Sequence, residues 1–157
     1  MKIIGIIPAR YDSTRFPGKP LVKIKGVSMI QRVYEQVQAA ELITKTIVAT
    51  DDERIFNHVK SFDGNVIMTA KTHESGTERI AEVIKKIDDN FDIAINIQGD
   101  EPFIQPLLIG DLANFLIKNS QFNIATAAKK IMDKETLFNP NTVKVVFSQS
   151  GKALYFS

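Results

Sequence analysis

Ile3-Ile4-Gly5-Ile6-Ile7-Pro8-Ala9-Arg10-Tyr11-Asp12-Ser13-Thr14-Arg15-Phe16-Pro17-Gly18-Lys19 decides the reading of this chain. Residues 3–7 form a short apolar run that stops at Pro8. A run of that length with no polar alternation suits a strand buried on both faces, as in a parallel sheet. From Ala9 to Lys19 the composition changes abruptly to a polar loop with glycine, proline and the cations Arg10, Arg15 and Lys19. A buried strand that empties into a cationic loop is how open α/β sheets begin a binding site, because ligands sit beyond the carboxyl ends of their strands.

Working outward, strand-like and helix-like segments alternate. Ser28 stands where it can cap a helix whose apolar face is Met29, Ile30, Val33, Tyr34 and Val37. Lys45 to Ala49 reads as a strand with Asp51-Asp52 just after it, and Ile55, Phe56 and Val59 predict a short helix with Gly64 at its exit. Asn65 to Met68 is a further strand candidate. Ser75-Gly76-Thr77-Glu78 has capping-box spacing and predicts a helix through Ile80, Ala81, Ile84 and Ile87. Ile93 to Ile97 reads as a buried strand that ends in Gln98-Gly99-Asp100-Glu101-Pro102. Pro106 then opens a helix with Leu108, Leu112, Phe115 and Leu116 on its apolar face. Ile124 to Ala128 and Val143 to Phe147 are predicted strands, and Gln149-Ser150-Gly151 a turn into Ala153 to Ser157. Strands separated by helices of this kind predict βαβ units, an α/β fold and a mostly parallel sheet. The last strand stops without a cap or polar tail, so the chain is expected to be shorter than its fold.

Composition bounds the rest. The chain has 157 residues, the length of one domain, with 44% hydrophobic and 24% charged residues. A net charge of +2 is too small to imply nucleic acid or a membrane as partner. The aromatics, mainly Phe, suit a core better than a base-stacking surface. With no cysteine there are no disulfides, thiolate metal sites or Cys nucleophiles. The N-terminal apolar run is too short for a signal-peptide core or a membrane span, and the expected location is the cytoplasm. His58 and His73, without a third partner, do not predict zinc.

If the sheet forms as read, its carboxyl rim gathers the chemistry. Pro8, Ala9, Arg10, Ser13, Arg15 and Lys19 offer charges, hydroxyl donors and approachable backbone to a polyphosphate; the same composition also fits a solvated basic loop. Neither the P-loop spacing nor Gly-x-Gly-x-x-Gly is present. Asp51 follows the second strand. Gln98 and Asp100 follow a later one, where a carboxylate beside a glycine can hold Mg²⁺ with phosphates filling other positions, or form a plain acidic turn. Ser75 and Gly76 begin a helix whose free amides can meet a base or phosphate, with Arg79 one step inside it; the plainer alternative is a capping box alone.

Ile7 to Leu21, Ser75 to Arg79 and Asn96 to Pro102 together resemble the signature of the 3-deoxy-manno-octulosonate cytidylyltransferases (CMP-Kdo synthetases). Phe138 to Asn141, Val143 to Val146 and Ala153 to Ser157 also resemble that family. The opening motif is shared more loosely with other nucleotidyltransferases, including sialic-acid cytidylyltransferases. The resemblance implies a three-layer, Rossmann-like nucleotidyltransferase fold, incomplete at its C-terminus. It implies CTP and Kdo as substrates, Mg²⁺ as cofactor, a homodimer, and CMP-Kdo with pyrophosphate as products, for lipopolysaccharide biosynthesis. Arg10, Ser13, Arg15 and Lys19 would then grip the triphosphate, with Arg10, Lys19 and Asp100 as the catalytic set. Ser75, Gly76 and Gln98 would recognise the nucleoside, Asp100 would bind Mg²⁺, and Arg79 would lie near the nucleotide or the sugar acid. Family members are usually longer, so a further metal-binding carboxylate, most of the sugar-acid pocket and much of the dimer interface are expected beyond Ser157. The alternatives are transfer to another acidic sugar, such as a sialic acid, and a non-catalytic CTP-binding module.

Overall fold

Strand β1 runs Ile3–Ala9 and stands in the interior of a four-stranded sheet. This is a computed structural model; it describes residues 1–12 and 16–157. Ser13, Thr14 and Arg15, and with them two of the expected phosphate contacts, lie outside the described residues. The described residues fall into two compact units, 1–123 and 124–157.

In the first unit β1 pairs in parallel with β4 (Lys45–Thr50) on one side and with β6 (Ile93–Asn96) on the other. Strand β5 (Val66–Met68) adds to the far edge of β4, giving the order β5-β4-β1-β6. Between β1 and β4 come a 3₁₀ turn at Lys19–Leu21, a short hairpin of β2 (Lys23–Ile24) and β3 (Val27–Ser28), and helix α1 (Met29–Gln38). Helices α2 (Glu53–Lys60), α3 (Gly76–Lys86) and α4 (Pro106–Lys118) complete the unit.

Alternation along β1 sorts the core into two clusters. Ile7 and Ala9 face α1, α2 and α4, joining Ile30, Val33, Val37, Ile55, Val59 and Ile109. Ile4 and Ile6 face the opposite way and pack on Ile80 and Val83 of α3. The unit is therefore an α/β arrangement with a parallel sheet, as the alternation of segments predicts, in the three layers that the resemblance implies. Because the chain steps from β1 outward to β4 and β5 and then returns to β6, the topological switch point lies between β1 and β6.

Several expectations need correction. Pro8 does not end the first strand. β1 continues to Ala9, paired with Thr50 of β4, so proline shapes the rim rather than stopping the strand. β6 is less buried than its sequence implies: Ala94 and Asn96 are exposed, because only β1 pairs with it among the described residues. Helix α4 turns Ile109 and Ala113 inward, whereas Leu108 and Phe115 are exposed. Residues 124–128 form no strand; Ile124 is exposed, and apolar β-branched residues without a neighbouring strand have no ladder to join.

The second unit is a five-residue helix α5 (Lys134–Phe138), capped by Asp133 through Thr136 N–H at 2.7 Å, followed by an antiparallel hairpin of β7 (Val145–Phe147) and β8 (Ala153–Phe156). Gly151 has φ 83° in the turn, a conformation that other residues rarely adopt.

Candidate functional site

The switch point is built around Pro8. A Cβ on Gly99 would lie 3.0 Å from the Pro8 carbonyl oxygen, and a Cβ on Gly76 would lie 3.2 Å from Pro8 Cγ. Three stretches far apart in sequence thus close on one residue: the end of β1, the start of α3 and the turn after β6. Glycine at both neighbours permits that closeness, since a side chain at Gly99 meets backbone that has nowhere to move.

The cationic loop is pinned at its two ends. Gly18, with φ 71°, donates its N–H to the Tyr11 carbonyl at 2.8 Å, and the Tyr11 ring lies under the Arg54 guanidinium at 3.2 Å. Lys19 follows at the start of the 3₁₀ turn and reaches across to Asp100, Nζ to Oδ2 2.6 Å. The Lys19 and Asp100 side chains are 36% and 51% exposed. An ion pair this open contributes about 0–1 kcal/mol, so an incoming polyanion and its counter-ion can separate it at little cost. Arg10, partly buried, donates through its guanidinium to the backbone carbonyl of His73.

Helix α3 begins with the expected capping box. Ser75 Oγ accepts from Glu78 N–H at 3.2 Å, and Glu78 Oε2 accepts from Ser75 N–H at 3.3 Å and Glu74 N–H at 2.8 Å. Those two backbone donors hold the Glu78 carboxyl below its ordinary pKa. Ser75 and Gln98 are exposed and Gly76 partly so, which leaves the rim around Pro8 open.

Arg79 differs from its expected placement. It is fully buried, ion-paired with Asp51 at 2.7 Å and hydrogen-bonded to Thr69 Oγ1, and its Nε has no protein partner. Asp51 and Arg79 therefore tie α3 to the carboxyl ends of β4 and β5, and in this arrangement Arg79 presents nothing to a ligand. Sequence reasoning did not pair them, because a charged residue one step inside a helix looks solvent-facing until its partners just past the ends of two strands are known. Thr69 and Glu82 were missed altogether; a Glu four residues after Glu78 and four before Lys86 was the available signal.

As to metal, no group of three or more His, Cys, Asp or Glu able to hold an ion occurs among the described residues. At the rim Asp100 offers an open carboxylate. That fits Mg²⁺ arriving with a triphosphate, since Mg²⁺ keeps most of its waters and takes one or two carboxylates plus phosphate oxygens.

The cytidylyltransferase family model matches residues 4–157. The chain belongs to the cytidylyltransferase family. A relative from Cytophaga hutchinsonii, named 3-deoxy-manno-octulosonate cytidylyltransferase, is 54% identical over 157 residues, covering 100% of this chain and 62% of its own length. One of the same name from Histophilus somni is 52% identical over 160 residues, covering 100% and 61%. This member of the family thus spans a little over three-fifths of the length of the curated relatives it matches. Among solved structures, a CMP:2-keto-3-deoxy-manno-octonic acid synthetase complexed with CTP superposes with a TM-score of 0.94 at 44% identity, over 100% of this chain and 64% of that one. A cytidylyltransferase from Leptospira borgpetersenii, at 22% identity and TM-score 0.67 over 76% of this chain and 50% of its own, shares the fold.

Proposed function

We propose that this chain supplies the nucleotide site of a CMP-Kdo synthetase, which transfers CMP from CTP to the anomeric hydroxyl of Kdo. The observation that carries the reading is the match over the whole chain to a synthetase structure holding CTP. The relatives' names favour Kdo over a sialic acid as acceptor. In the proposed reaction the anomeric oxygen forms a bond to the α-phosphorus, the bond from that phosphorus to the β-phosphate oxygen breaks, the hydroxyl proton is lost and pyrophosphate leaves. Mg²⁺, when bound with the triphosphate, supplies charge neutralisation, and Asp100 is the residue that holds it. Arg10, Lys19 and, from the segment outside the described residues, Ser13 and Arg15 bind the phosphates; aligned cations stabilise charge that grows on them during transfer. Pro8 and Ala9 form the floor, while Ser75, Gly76 and Gln98 offer donors and acceptors to the nucleoside. Asp51 and Arg79 act beneath this surface, holding the start of α3. We place the reaction in the cytoplasm, in a homodimer, serving lipopolysaccharide synthesis; no helix among the described residues is long and apolar enough to cross a membrane.

The test is pyrophosphate release with CTP, Mg²⁺ and Kdo, against controls without acceptor and with a sialic acid. Release with Kdo alone is expected. Release with the sialic acid instead would overturn the acceptor, and CTP binding without turnover would favour a non-catalytic module. An Asp100→Asn variant should need more Mg²⁺ for half-maximal rate; an unchanged metal titration removes Asp100 as its ligand.

A further inference from the structure

One face of α3 carries a polar stripe at four-residue spacing: Glu78, Glu82 and Lys86. Each member is bonded to the segment that leads into the same helix. Lys86 Nζ donates to the Met68 carbonyl at 2.8 Å and pairs with Glu82 Oε1 at 2.6 Å. Glu82 Oε2 accepts from Ala70 N–H at 2.9 Å and meets the His73 ring through Nε2. Glu78 closes the series on Glu74 and Ser75 N–H. The segment 68–75 is therefore fastened back along its own helix, one tie per turn, and the point it presents to the rim is the His73 carbonyl that receives Arg10.

We propose that Glu82 is a positioning residue for Arg10, acting through His73. Arg10 has a long side chain with several rotatable bonds; holding its guanidinium at one place before the nucleotide arrives removes an ordering cost from binding. The His73 carbonyl can hold it only while residue 73 is itself held. Glu82 makes the short bond that does so, joined on one side to Ala70 N–H and on the other to the His73 ring, while Glu78 Oε2 stands farther from that ring at 3.9 Å. This rests on the reading of Arg10 as a phosphate contact, and the experiment separates the two.

The experiment is a double-mutant cycle read as the Kd of CTP with Mg²⁺. Arg10→Ala should weaken binding, and Glu82→Ala should weaken it about five- to tenfold, within the range of coupling between residues of one network. In the Arg10→Ala background, Glu82→Ala should have no further effect. A merely structural loss would add to that of Arg10→Ala, so additive effects, or full affinity in Glu82→Ala alone, overturn the proposal. Full affinity in Arg10→Ala instead overturns the phosphate role of Arg10, and this inference with it. If Glu82→Ala does not fold, His73→Ala breaks the same tie from the loop side and must show the same non-additivity with Arg10→Ala.

Discussion

At the residue scale, Lys19 and Asp100 illustrate what a sequence can and cannot disclose. Their chemistry was legible, because a cation after one strand and a carboxylate after another point to the same rim of a parallel sheet. Their contact was not, since 81 positions separate them and only the strand order brings them to 2.6 Å. Each is the other's counter-ion until a charged ligand arrives. In the proposed reaction Lys19 then turns to the phosphates, where its charge meets charge that develops during transfer. Lys19→Ala is expected to lower turnover about 100- to 1,000-fold, the range for removal of one key electrostatic donor. Steady-state rates at saturating CTP check this, and near-normal turnover would remove Lys19 from the chemistry. Arg79 is the opposite case. Its residue type suggested a ligand contact, but complete burial against Asp51 and Thr69 assigns it to the scaffold. A charged residue is buried only when paired, and nothing local in Ser75–Arg79 announces partners that lie just beyond the ends of β4 and β5.

At the element scale, helices with a capping signal and a one-sided apolar stripe were readable. α1 and α3 begin at the expected caps; α1 buries its expected face, whereas α3 turns Ile80 and Val83 inward and leaves the expected Ala81 exposed. The misreadings fall where neighbours decide: 124–128 sets β-branched Ile124 and Thr126 among alanines yet joins no ladder, and α4 has apolar residues on so many sides that its pattern does not select Ile109 and Ala113. The stripe on α3 was visible as charges but not as a clasp. Its acid sensitivity follows from Glu82, whose carboxyl is pulled from 4.5 to about 2, chiefly by Lys86 and then by Ala70 N–H and His73. A folded-state value below the unfolded one means that the unfolded chain binds the proton more readily. The clasp's contribution is therefore complete above pH 4.5 and is lost as the pH falls toward about 2. Urea midpoints of the wild type and Glu82→Gln should differ by a constant amount from neutral pH to about 4.5 and converge as the pH falls from there toward about 2. A difference that stays constant into the acid range would show that Glu82 is not the titrating group.

For the first unit taken whole, the site is a consequence of how closely α1 lies on the sheet. Gly5, in the middle of β1, is where that closeness is set: a Cβ there would stand 2.5 Å from Val37 Cγ1 and 3.3 Å from Ile97 Cδ1. The sequence shows a glycine in an isoleucine run, which marks close approach by another element. It does not show which element, because the helix that covers this face of β1 is fixed by the crossover from β1 through α1 to β4. The neighbour is a β-branched residue that is itself fully buried, so it cannot swing aside as a long side chain would. Gly5→Ala should therefore destabilise the fold by about 1–3 kcal/mol, the usual cost of overpacking a filled core. Val37→Ala alone should also destabilise, by leaving a cavity. Together they should cost clearly less than the sum, since the added methyl occupies space that the valine vacates. Urea unfolding of the two single variants and the double one measures this. If the costs simply add, the contact between Gly5 and Val37 does not govern how α1 seats. If they cancel in part, the seating of α1 links the core to the site, because the 3₁₀ turn that carries Lys19 packs on that same helix.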